Sequence, residues 1–180
     1  MAAVACTSDD STGGEPAEAE ATAPASSDAT ATALGVCGVL VEFVDFVADE
    51  VNAASGEINL DTDPAVAREL LLDATDDVQA AVDALPERYD AVRVSDEGDL
   101  GRLIEDAGAN TVALDEQLDT IRTRLTDGLE GEGPREILSA TFIDMEKVLS
   151  LAQPDQGDYS DAALVEALDT EPACEHTISR

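Results

Sequence analysis

The fold is decided by residues 96–129, DEGDLGRLIEDAGANTVALDEQLDTIRTRLTDGL. Leu100, Ile104, Ala107, Thr111, Leu114, Leu118, Ile121 and Leu125 step alternately by four and three. That seven-residue repeat keeps one apolar seam on one side of a long helix, which must lie lengthwise against antiparallel neighbours. Gly101 and Gly108 each weaken such a helix by roughly 1 kcal/mol relative to alanine. A kink or a close helix approach is therefore expected near Gly108, Ala109 and Asn110.

The neighbours can be read on either side. A first helix is expected over residues 34–54, with Cys37, Leu40, Val41, Val44, Val47 and Val51 on one face, and Gly56 and Asn59 ending it. A second starts at Asp63-Pro64, an N-cap followed by proline at the first helical position. It carries Leu70, Leu71, Ala74, Val78, Ala81, Val82 and Leu85 and is expected to stop before Pro86. A fourth begins at Gly133-Pro134 with Leu138, Thr141, Phe142, Met145, Val148 and Leu149. A short fifth begins at Ser160, where Tyr159 can staple against Leu164, and ends before Pro172. β-strand alternation is scarce. The fold class is all-α: a four- to five-helix bundle over residues 34–180, preceded by a disordered tether over residues 1–33. Residues 34–48, the best candidate for a membrane span, look too short and are interrupted by Glu42 and Asp45.

Residues 7–33 contain no Val, Ile, Leu, Phe, Tyr, Lys or Arg, but six acids and two prolines. Such a tract has little apolar surface to offset the entropy of ordering, and its random-coil reach is roughly 30 Å. Ahead of it stands Ala3-Val4-Ala5-Cys6. Small residues ending in a cysteine, followed by an acidic Ser/Thr/Ala/Pro tract, resemble a bacterial lipoprotein. The resemblance covers residues 1–33. It implies that Cys6 is the lipidated first residue of the mature protein, held extracytoplasmically at the cell membrane. The family's basic and apolar signal regions are missing ahead of Cys6, as if Met1 lay inside them, and Ala3 stands where the family usually has Leu.

Charge narrows the partners. The chain has 41 acidic against nine basic residues, a net charge of −32, with Lys147 its sole lysine. Such a surface repels nucleic-acid phosphates and anionic headgroups, and attracts cations and basic proteins. The preferred reading of the charge is nonetheless a solubility trait of a halophile or of a GC-rich secreting bacterium. With Cys6 assigned to lipid, Cys37 and Cys174 form an even pair at the two ends of the body, a disulfide in an oxidising compartment. Two buried free thiols are the main alternative, since a zinc site would lack ligands in a chain with one His.

Catalytic and metal patterns are weak. Asn59, Asp61 and Asp63 alternate like the start of an EF-hand loop, but Pro64 and Leu70 occupy the positions of its Gly and bidentate Glu. Asp61 and Asp63 are thus weak cation candidates beside a capping turn, and Asp155, Asp158 and Asp161 form a second acidic loop. His176 sits in a polar tail with no orienting partner. No phosphate loop, serine elbow or zinc helix is present, and no cofactor is implied. Phe43 and Phe46 are expected in the core. The leading expectation is a non-enzymatic, lipid-anchored envelope protein that binds or contacts a partner. Its rivals are an extracytoplasmic metal-binding protein or carboxylate-based enzyme, and a cytosolic nucleic-acid mimic.

Self-repulsion among the carboxylates should destabilise the folded state at low salt, and its reach shrinks from about 10 Å at 0.1 M salt to about 3 Å at 1 M. The thermal midpoint should therefore rise as NaCl goes from low to molar concentration. Millimolar Ca²⁺ should do no more than NaCl of equal ionic strength; a large calcium-specific rise would favour the metal-binding rival.

Overall fold

A computed structural model describes residues 25–128, 132–153 and 159–174. Five helices follow in order, α1 (Ala25–Glu57), α2 (Pro64–Ala91), α3 (Gly98–Asp127), α4 (Pro134–Ala152) and α5 (Ala162–Thr170), with no strand among the described residues. Successive helices pack as neighbours from α1 to α4, and α5 packs chiefly against α1. The all-α bundle expected from the sequence is the fold.

The seam of α3 is as the repeat requires. Ile104, Ala107, Leu114, Leu118, Ile121 and Leu125 are buried, and Leu100 and Thr111 are half-buried. Gly101 has a local reason: a Cβ there would lie 2.5 Å from the carbonyl oxygen of Asp96. The close approach expected at Gly108 is not found, since a Cβ there would meet nothing within 4 Å. It occurs at Gly35 instead, where a Cβ would lie 2.7 Å from Cβ of Val92.

Helix α1 starts at Ala25, so residues 25–33 are helical rather than tether. Alanine supplies what the larger apolar residues do not. It is the best helix former, and Ala29 and Ala33, one turn apart, are fully buried and extend the stripe of Val36, Leu40, Phe43 and Val47. The rest of the expected tether, with Cys6, lies outside the described residues. Phe43 is in the core as expected, whereas Phe46 remains 37% exposed. Helix α1 also corrects the expectation from residues 34–48: Ser27–Glu57 is long and apolar enough to cross a membrane by length and composition, with mean hydropathy 1.9 in its best window. In the bundle its stripe of Ala29, Val36, Leu40, Phe43, Val47 and Val51 belongs to the protein core, while Leu34 and Phe46 stay exposed.

Helix α2 starts as expected, with Asp63 Oδ1 accepting from Ala65 N–H at 2.8 Å. It does not stop before Pro86, which lies inside the helix. Proline in a helix interior costs about 3 kcal/mol or more. The turn that follows buries Tyr89 to 2% exposure while Leu85, just before the proline, is at 1%. Burial of two such side chains contributes roughly 1.5–3 kcal/mol each, enough to carry the helix through. Arg88, in the same turn, pairs with Glu42 of α1. Burial pushes the Tyr89 hydroxyl up to about 12, against the opposing influence of Arg88.

Helix α4 has 19 residues and α1 has 33, about 28 and 50 Å, so α4 covers only part of α1. Helix α5 packs on α1 as well, and Cys37 and Cys174 are joined by a disulfide with a Cα–Cα distance of 5.1 Å. The cap of α5 differs from expectation: Asp161, not Ser160, accepts from the N–H groups of Ala163 and Leu164. The bond closes a sequence separation of 137 residues, which stabilises by up to about 5 kcal/mol in the chain-entropy model. Peptide mapping of unreduced protein should recover the cross-linked pair, and reduction should lower the thermal midpoint. Two free thiols on denaturation would contradict the bond.

Candidate functional site

Three of the polar clusters among the described residues bear on a candidate site, and the first is a capping turn. Asp61 N–H donates to Asn59 Oδ1 at 2.9 Å, and Asn59 N–H to Thr62 Oγ1 at 2.8 Å. With Asp63 capping α2, these side chains are committed to the turn that joins α1 to α2. No group of three or more potential metal-ligating side chains occurs among the described residues. Asp155, Asp158 and His176 lie outside them, and Asp161 is the cap of α5.

The second place is the junction that docks α5. Asp99, in the first turn of α3, has a side chain only 8% exposed. Its Oδ2 accepts from Asp161 N–H at 2.7 Å, Ser160 Oγ at 2.9 Å and Ser160 N–H. Arg102 lies 3.3 Å from the other oxygen and 5.5 Å from the ring centroid of Tyr159. The donors from Asp161 and Ser160, and the charge of Arg102, hold the Asp99 carboxyl below its ordinary range. The Tyr159 hydroxyl donates to Asp106 at 3.0 Å. Burial, and then this bond, raise it well above the usual phenol value, so it stays protonated and does not serve as a base.

The third is Asp144, buried on α4 at 4% exposure. It pairs with Arg124 of α3 and lies 2.8 Å from Lys147 Nζ. Sequence periodicity assigned neither Asp99 nor Asp144 a role. The available signal for Asp144 was an acid on the face of Thr141, Met145 and Val148, three residues before the sole lysine. For Asp99 there was only an acid in a helix's first turn, which is common.

Two surface concavities stand apart from these clusters. A shallow cleft of about 510 Å³ on α3 is lined by Asp119, Thr120, Thr123, Arg124, Asp127 and Gly128. Its lining residues are polar at their tips, their carbon portions form most of its wall, and its arginine is already paired to Asp144. A groove of about 130 Å³ between α1 and α4 is lined by Val47, Ala48, Val51, Asn52, Phe142, Met145, Glu146 and Leu149. Phe142 was expected in the core but is 36% exposed at this edge. The groove is smaller than the usual small-molecule pocket, but its apolar floor with few polar groups makes it the candidate for contact with another protein's side chains.

No protein-family model matches the chain, nor does any curated protein or solved structure at a significant level. Fold and surface together define an acidic, disulfide-bonded helical bundle.

Because the folded pKa of Asp99 is depressed, its contribution to stability is present above its unfolded value near 3.9 and is lost as pH falls through the folded value. Asp99→Asn should therefore melt below wild type at neutral pH, and the gap should close below about pH 4. Relief of general repulsion in acid affects both proteins and cancels in the comparison. A gap that does not change with pH would remove Asp99 from this role.

Proposed function

We propose that this chain is a lipid-anchored, extracytoplasmic binding module that contacts its partner without catalysis. The observation that carries the reading is the Cys37–Cys174 disulfide. Such bonds persist where the compartment is oxidising, and pairing these two leaves Cys6 in its small-residue context for lipid. The acidic surface is in keeping with a partner that is basic rather than a nucleic acid. One apolar stripe of α1, including Val36, Leu40, Phe43 and Val47, belongs to the bundle core, and in this reading the lipid on Cys6 supplies the anchor and leaves the bundle displayed.

Metabolic labelling with a palmitate analogue in a bacterial host tests this, using a reading frame that extends upstream of Met1. Wild-type protein should be labelled and should sediment with membranes, and Cys6→Ser should abolish both. A wild type that is unlabelled and stays in the soluble fraction would overturn the assignment.

A further inference from the structure

We propose that the α1–α4 groove docks a cationic amphipathic helix; this rests on the reading of the chain as a binding module and supplies its site and partner chemistry. The groove floor is formed by Val47, Val51, Met145 and Leu149, with Phe142 at its edge. One turn along α4 from Phe142, Leu138 lines a second concavity of about 170 Å³ with Ile58, Asn59, Leu60 and Arg135. Leu60 is 75% exposed there. From Leu149 to Leu138 the apolar strip follows α4 for about 16 Å, the length of three helical turns. That is room for a helix presenting anchors at i, i+3 or i+4, and i+7, the usual mode for a helix laid in a groove.

Charge selects the occupant. Asp45 and Asp49 flank Ala48 and Asn52 at helical spacing on α1, and Glu146 lines the groove from α4. All three are exposed, and none forms an ion pair among the described residues. A second copy would bring net charge −32 against −32. The chain's own residues 7–24 carry acids, no base and no large apolar side chain, so they supply neither the charge nor the anchors. A helix with an apolar face and a lysine-rich face supplies both. Arg135 at the far end of the strip orients it, placing the partner's cations over Asp45, Asp49 and Glu146.

The test is a titration of the full chain with a fluorescent Leu/Lys amphipathic helix of about 14 residues. A scrambled peptide of the same composition and a Leu/Glu version of the same pattern are the comparisons. The amphipathic Leu/Lys peptide alone should bind tightly and shift amide resonances of α1 and α4. The combined variant Asp45→Asn, Asp49→Asn, Glu146→Gln should weaken binding by about tenfold at low ionic strength, with the loss shrinking in molar salt. Phe142→Ser should weaken binding at both salt levels, and the neighbouring Ile143→Ser should not. The rim variant alters only exposed groups and reads the site even if Phe142→Ser folds poorly. Equal binding of the scrambled peptide, no binding of the Leu/Lys helix, or shifts mapping elsewhere would each overturn the proposal. So would a dimer that the peptide dissociates, which would assign the groove to a second copy. The readout does not depend on lipid, so failure here is distinct from failure of Cys6 labelling.

Discussion

The structure depends on keeping the apolar stripe of α1 out of water. That stripe runs from Ala29 through Val36, Leu40, Phe43 and Val47 to Val51, all buried, along a helix of about 50 Å. Helix α2, at 28 residues, is nearly its match, but α4 has only 19. The groove between α1 and α4 lies at Val47 and Val51; α5 is joined to α1 at Cys37, some ten residues nearer its start. A helix of nine residues is far too short to be stable alone. It is held by tertiary bonds at both ends: before it, Ser160 and Asp161 donate to Asp99 of α3 and Tyr159 donates to Asp106 of α3, and after it comes the disulfide.

The same economy shows in the charges. With nine bases for 41 acids, three of the arginines are placed where they join helices. Arg88 ties α2 to α1 through Glu42, Arg122 ties α3 to α2 through Asp76, and Arg124 ties α3 to α4 through Asp144. Exposed pairs of this kind contribute at most about 1 kcal/mol each. The Asp144 pair differs, because removing a cation from a buried carboxylate leaves an uncompensated charge. The remaining surface stays strongly negative, which favours solubility and limits the partners it can attract.

Much of the bundle was legible in the sequence because periodicity reports directly on burial. The four-three steps from Leu100 to Leu125 gave the α3 seam, and Asp63-Pro64 gave the start of α2. Failures came where context overrides local preference. Pro86 marks a helix end by its own chemistry, yet burial of Leu85 and Tyr89 outweighs it. Residues 25–33 read as tether because large apolar residues are missing, although alanines at helical spacing can close against a partner. The candidate groove was hidden for a related reason: Phe142 has the composition of a core residue, and only the packing of α4 on α1 leaves its edge exposed. Asp99 acts through contacts 61 and 62 residues away, a distance over which sequence spacing says nothing.

Amide hydrogen exchange along α1 of the intact chain, with and without a reductant, tests the central claim most directly. The account predicts slow exchange from Ala29 to Val51 in the oxidised protein. On reduction, residues 29–37 should lose protection while residues 47–51, under α4, keep it. Rapid exchange of residues 29–37 in the oxidised protein would contradict the claim that α5 and its disulfide bury the start of α1.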